Sequence, residues 1–321
     1  DLLTRHTQTM GTAGQGTLSR IDAALDFAEQ MLATNPLYSK VNPHIVDRIK
    51  KMKEQNRHYL AHEYFNQDWH PMSFNQMEDW LKTAKLSYAG SAHYIDYVDA
   101  INLTPAQQQF LKTLPDPMFQ AVVRDFMCNT QFRRDYWVKG LRKLNMFERT
   151  ELLRAQRVVL TNSKALVDLN VTGTLGEATL NSEIYIPILE LMADYKPRTI
   201  GQIEQVVHGR GIAFNQLLQA MMVLIGKGDV ALSQDDKIAA KVKPNTDALN
   251  QCMINKSRGG NDIAYLACPL TGGGINVNRF QQLFLLARSQ GKKLPTEWAQ
   301  FAWQCIAAQD QRLTKEGKTL E

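Results

Sequence analysis

Two short runs hold most of the side chains capable of chemistry. The first, His58 to Pro71, reads HYLAHEYFNQDWHP and gathers three histidines, four aromatic residues and two acids. His58 and His62 are four residues apart, so on a helix both imidazoles share one face, a spacing that can hold a metal. A zinc-protease helix, however, places a glutamate directly after its first histidine as general base. Here Glu63 follows the second. The reading taken instead is structural: the aromatic bodies pack between helices while their polar tips satisfy buried backbone groups. The second run, Asn129 to Gly140, reads NTQFRRDYWVKG. Read as a helix, it turns Arg133 and Arg134 to different faces. One then pairs with a carboxylate and the other stays available for an anion or acidic group.

The elements that must position these runs are mostly helices. Leu18–Ala33 repeats apolar residues at helical spacing (Ile21, Leu25, Ala28, Leu32), with Ser19 as its cap. A second helix follows Pro43, carrying Ile45, Val46, Ile49 and Met52 on one side and Arg48, Lys50, Lys51, Lys53 and Arg57 over much of the rest. Ser73 offers a cap for a helix through Lys85. Leu86–Ile101 alternates loosely, as a short strand and turn. Thr104-Pro105 and Asp116-Pro117 each place a capping residue before a proline at the first helical position, predicting helices to Thr113 and Asn129. Beyond Met146, 157–161 and 166–180 read as short strands. Three helices follow at 185–195, 200–208 and 213–226, and then an apolar run at 230–232. That order is winged-helix-like. Lys237–Asn245 reads as a linker and Cys268–Asn276 as a glycine-rich loop. Helices are expected at 246–255, 279–289 and 296–308, the last with Trp298, Phe301, Trp303 and Ile306 for docking.

The expected architecture is mainly α with small β elements. It comprises a linker at 1–17, a helical domain at 18–145, a winged-helix-like α+β domain at 146–240 and a helical region at 241–321. Composition is that of a globular chain, 44% hydrophobic and 21% charged, with a mild net charge of +5. The four cysteines (Cys128, Cys252, Cys268, Cys305) form no CxxC pair and read as reduced, mostly buried thiols of a cytoplasmic protein. No apolar run approaches the ~20 residues a membrane helix needs. A winged-helix DNA-binding regulator with a helical sensor domain is the alternative function. Against it, residues 182–240 carry five basic and seven acidic side chains, and the third helix has Asn215, Gln216 and Gln219 but no Lys or Arg. Phosphate neutralisation, which supplies most DNA affinity, would be poor.

Three segments carry a resemblance: YLAHEYFNQDWHP at 59–71, AKLSYAGSAHYIDYVDAINLTPAQQ at 84–108 and VRDFMCNTQFRRDYWVKG at 123–140. In order and spacing they resemble the predicted methyltransferase regulatory domain of bacteria, over about a quarter of the chain. The resemblance implies a non-catalytic region following a class I S-adenosylmethionine-dependent methyltransferase domain. It is similar to bacterial protein-lysine methyltransferases, whose downstream domains shape the substrate cleft and dimerise. It further implies a regulatory or substrate surface at His62, Glu63, Tyr64, Trp69, Arg133 and Arg134. The implied partners are the upstream catalytic domain, a protein substrate and a second copy of the chain. A methyltransferase domain needs a glycine-rich loop after a strand of a doubly wound sheet, and none is legible between Asp1 and Glu321. With a start at Asp1 rather than Met, the chain is read as the portion downstream of that domain. No catalytic, cofactor-binding or metal residues are expected in it, and S-adenosylmethionine belongs to the missing part.

Overall fold

The structure, a computed structural model, describes residues 2–11, 14–66, 70–312, 314–315 and 318–319. It is mainly α with small antiparallel sheets, as the sequence predicts. Two compact units divide the chain, Asp1–Met77 and Glu78–Glu321.

The first unit holds α1 (Leu2–Thr9), α2 (Thr17–Ala33), α3 (Leu37–Val41), α4 (Ile45–Glu54) and α5 (Arg57–Glu63). Its core is the predicted stripe of α2 (Ile21, Leu25, Ala28, Leu32) closed by Ile49 and Met52 of α4 and Leu60 of α5. The expected linker at 1–17 therefore contains a helix. Leu3 packs on this core and His6 stacks on Phe27 at 4.6 Å. Ser19 does not cap α2: the helix begins two residues earlier, with Gly16 at the cap position and no side-chain cap bond. The basic surface of α4 and α5 is partly spent. Lys53 pairs with Asp26 and Glu29 of α2 at 2.8 and 2.6 Å, and Arg57 with Asp22 at 2.5 Å. The division between units falls inside α6 (Phe74–Thr83).

The second unit opens with β1 (Leu86–Ser91), a 3-10 turn at Tyr94–Tyr97, and the short α7 (Asp99–Asn102). Next are α8 (Pro105–Lys112), held by a Thr104–Gln107 capping box, and α9 (Pro117–Cys128), capped by Asp116. Asn129 takes the left-handed conformation (φ 50°) and ends α9. The next residues cannot continue that helix. The helix expected at 131–139 is instead β2 (Asp135–Lys139), antiparallel to β1 in a register that places Tyr88 opposite Trp137. Its residues alternate, Asp135 and Trp137 half-buried against exposed Tyr136 and Val138, the period of a strand.

After α10 (Met146–Ala155), β3 (Arg157–Leu160) forms the centre of a three-stranded sheet, and β4 (Asn170–Gly173) and β5 (Gly176–Thr179) make a hairpin. Helix α11 (Ser182–Met192), β6 (Arg198–Thr199), α12 (Ile200–Val207), α13 (Phe214–Lys227) and β7 (Val230–Leu232) complete this region, with sheet order β6-β3-β7. Ile188, Met192, Ile203, Leu217, Met221 and Leu224 are fully buried here, each worth about 1.5–3 kcal/mol of apolar burial. Arg154 fastens α10 to α12 by a two-pronged pair with Glu204 at 2.7 and 2.9 Å, and lies over the Phe214 ring. Val98 joins the same core, with Ile95 and Ile101 packed against it. Gly226 of α13 makes room for Ile95: a Cβ there would stand 2.5 Å from its side chain.

The linker expected at 237–245 is helical. Asp235 caps α14 (Asp236–Lys256), which runs through Pro244. The loop expected at 268–276 is part of a second hairpin, β8 (Tyr265–Cys268) with β9 (Gly273–Asn276). Asn250 clamps α14 to it, donating to and accepting from the Ala267 backbone at 2.8 Å each. Helices α15 (Arg279–Ser289) and α16 (Pro295–Ala307) close a small core of Ile254, Leu266 and Leu286, against which Phe301 packs. Ile306 is buried, whereas Trp303 faces outward, 42% exposed. All four cysteines are free thiols, but none is buried: Cys252 is exposed and the others are half-buried. Among the described residues no helix is long and apolar enough to cross a membrane.

Gly173 sits where the β4–β5 hairpin meets α7, and a Cβ there would lie 2.3 Å from the Ile101 carbonyl oxygen. Backbone cannot swing aside as a side-chain tip can. Gly173→Ala is expected to cost about 1–3 kcal/mol, read as a lowered urea midpoint with unchanged slope.

Candidate functional site

The second unit brings together the run 129–140 and the middle of the block 84–108. Arg133 lies just before β2 and is fully engaged. Its Nε and Nη2 donate to Asp135 at 2.8 and 3.2 Å, its Nη1 donates to both oxygens of Asp125 at 2.7 and 2.8 Å, and Nη2 also donates to the Tyr88 hydroxyl at 3.1 Å. The guanidinium lies 5.6 Å from the Tyr88 ring centre. Burial opposes its charge, but the bonds it donates to Asp135 and Asp125 outweigh that and hold its pKa above the ordinary arginine value. Burial also pushes the Tyr88 phenol up to about 12, against the pull of Arg133. Tyr88 is therefore a neutral hydrogen-bonding group at physiological pH.

A bulge between Tyr88 and Gly90 bends β1 around this centre. Gly90 has φ +148°, and a Cβ there would collide with the Tyr97 hydroxyl. That hydroxyl donates to the Ser91 carbonyl at 2.9 Å, and Ser91 Oγ donates to Asp96 at 2.6 Å. Arg124 on α9 reaches back to Asp99 and to the Asp96 carbonyl at 2.6 and 2.5 Å. Asn102 is 7% exposed. Its amide donates to the Ile95 and Val98 carbonyls at 2.8 and 3.1 Å, and its Oδ1 accepts from the Thr174 backbone and hydroxyl at 3.0 and 3.2 Å. These groups surround a cavity of about 330 Å³. Nothing in the sequence pattern singled out Asn102, Arg124, Asp96 or Asp99. Their signal lies only in the three-residue rhythm of acids along YIDYVDAIN, Asp96 and Asp99, which puts both on one side of a tight turn.

Arg134, the neighbour of Arg133, is exposed and its guanidinium has no partner among the described residues; Phe132 is 86% exposed. The expected division between a paired and an available arginine therefore holds on a strand's approach, without the helix assumed for it. His62, Glu63 and Tyr64 lie in the first unit, at the last turn and cap of α5. His58 and His62 are exposed, whereas Tyr64 packs on the first unit's core and lines an apolar cavity of about 240 Å³ with Phe65 and Met31. Trp69 lies outside the described residues. Among the described residues no three His, Cys, Asp or Glu side chains gather as a metal-binding group. The five implicated residues that are described thus belong to two separate units.

The contrast between the two arginines is measurable. Arg133→Ala strands half-buried Asp125 and Asp135 and is expected to cost about 2–4 kcal/mol, discounted from a fully buried pair for its partial exposure. Arg134→Ala should stay within about 0.5 kcal/mol of the parent. Urea denaturation of both variants checks this.

Residues 56–139 match a family described as predicted methyltransferase regulatory domain. The match begins at Asn56, which caps α5, and ends on Lys139, the last residue of β2. Over 304 residues the chain is 42% identical to the uncharacterized protein sll1526 of Synechocystis sp., covering 95% of this chain and 59% of that protein. Its fold resembles PKMT2 from Rickettsia typhi, solved both in complex with AdoHcy and without it. The TM-score is 0.57 in each case at 14% identity, covering 99% of this chain and 65% or 66% of that one. The chain thus spans about three fifths of the cyanobacterial relative's length and about two thirds of the rickettsial one's. At 14% identity the rickettsial likeness speaks to fold alone.

Proposed function

We propose that this chain is the regulatory and substrate-recruiting part of an S-adenosylmethionine-dependent methyltransferase acting on protein, with its cofactor-binding domain outside these residues. The match of residues 56–139 carries the reading. The shared fold with PKMT2, solved with AdoHcy, supports it. So does the architecture: among the described residues every sheet is antiparallel and has two or three strands. A class I cofactor site needs the carboxyl ends of a larger parallel sheet. In this reading Arg133 is an internal brace, while exposed Arg134, Phe132 and His62 offer contacts to the acceptor protein or the catalytic domain. The winged-helix-like region serves as a packing module, and the protein works in the cytoplasm, with a homodimer as its assembly.

The order α11, α12, α13, β7 favours a second reading, a DNA-binding regulator. Two features weigh against it. The segment carries net negative charge, and α13 buries Leu217, Ala220, Met221, Val223 and Leu224 while Ile95 covers Gly226. A gel-shift titration at low salt is expected to stay flat; salt-sensitive retardation would favour the second reading.

Calorimetry of this chain with S-adenosylmethionine is expected to show no binding, and micromolar affinity would overturn the proposal. In the full-length enzyme, Arg134→Ala should raise KM for the protein acceptor about tenfold, some 1.4 kcal/mol. KM for S-adenosylmethionine should be unchanged. Unaltered kinetics for both substrates would remove Arg134 from the recruiting surface.

A further inference from the structure

The cavity beside β1 is built and charged in a way that bracing the fold does not require. Its walls come from β1, the Tyr94–Tyr97 turn, α7, α9, the start of β2 and Thr174 of the β4–β5 turn. A volume of about 330 Å³ sits at the lower end of ligand pockets. It suits a side chain or a small amine rather than a nucleoside. Four carboxylates line it, those of Asp96, Asp99, Asp125 and Asp135, against two guanidiniums, Arg124 and Arg133. The lining carries an excess of two negative charges.

The arginines do not use all of the acceptor capacity. Arg133 spends itself on Asp125 and Asp135. Arg124 engages Asp99 through Oδ1 alone, and Asp99 Oδ2 and the Thr130 hydroxyl make no hydrogen bond among the described residues. Tyr88 and Tyr97 also line it; Arg133 already lies over the Tyr88 ring, and the aromatic ring of Tyr97 is of the kind that attracts cations. An anion would meet the charge excess unfavourably. A divalent metal would want three converging ligands, a grouping that does not occur among the described residues.

We propose that this cavity is a binding site for an organic cation, a primary ammonium or guanidinium group, seated between Asp96, Asp99 and Tyr97. The site stands on its own geometry, whether or not the chain recruits substrate for methyl transfer. The group could come from a basic side chain of a peptide or from a free polyamine, and both present the same chemistry.

The test is backbone amide NMR of this chain at low ionic strength. It is titrated separately with Nα-acetyl-lysine methylamide, spermidine and the neutral Nα-acetyl-norleucine methylamide. The two cations are expected to shift the amides of Tyr88, Asp96, Arg124 and Thr174 saturably, with dissociation constants on the order of 1 mM or tighter. Added salt should weaken both, and the norleucine compound should leave these amides unmoved. Stronger binding by the lysine compound identifies a peptide side chain as the ligand source, stronger binding by spermidine a free polyamine. Asp99→Asn should weaken the cations about fivefold or more, whereas Asp47→Asn, an exposed acid of α4 in the first unit, should not. Asp96→Asn gives the same reading if Asp99→Asn proves poorly folded by circular dichroism. Equal shifts from norleucine, no shifts at these amides, or undiminished binding by folded Asp99→Asn or Asp96→Asn would each overturn the proposal.

Discussion

The second unit depends on a single buried amide. Asn102 uses both N–H donors on the Ile95 and Val98 carbonyls and both lone pairs of its oxygen on Thr174. Four bonds are the whole capacity of that side chain. Two of them freeze the turn that follows β1, and two hold the tip of the β4–β5 hairpin, some seventy residues later in the chain. Without this peg the polar ends of a non-repetitive turn would be buried unpaired, at about 1–3 kcal/mol for each group. With it, Val98 enters the core of α11, α12 and α13. Ile95, Val98 and Ile101 then share one apolar interior with the three-helix region.

Charge in the protein is arranged in two styles. Around Arg133 and Arg154 it is directional and multidentate, each guanidinium gripping carboxylates from other elements while lying against an aromatic ring. On α4 and α5 it is a looser match of lysine and arginine to the acids of α2, an exposed arrangement worth little to stability. The first style fixes geometry. The second trims a basic surface that would otherwise look like a docking face for an acidic partner. Arg134 follows neither.

What the sequence disclosed was local. The helices with a polar cap before a proline, or a Thr-x-x-Gln box, lie close to where they were expected, because a cap and its first turn are neighbours in the chain. Asp135–Lys139 escaped because its partner, Leu86–Ser91, lies some fifty residues earlier, and aromatic, basic segments suit helix and strand alike. Its two-residue alternation was visible but short. At 237–245 the Lys, Pro and Asn content outweighed the cap that Asp235 supplies, so a continuous helix read as a break. The hairpin at 265–276 hid behind three glycines, which favour turns but also tolerate strand pairing. Of the site, Arg133 was legible through its company. Asn102, Asp96, Asp99 and Arg124 were silent, because their meaning comes from what they face across the fold.

The boundaries of the matched family have a consequence for how this protein is handled as material. Residues 56–139 are the matched segment, and both cores they enter are completed by residues outside it. Cut out alone, it would carry Leu60 away from the α2 and α4 residues that enclose it. Ile95, Val98 and Ile101 would be stranded without the helices they rest on, and Asn102 would lose Thr174. A polypeptide trimmed to its recognisable segment would keep both arginines and every motif, yet expose two half-cores to water.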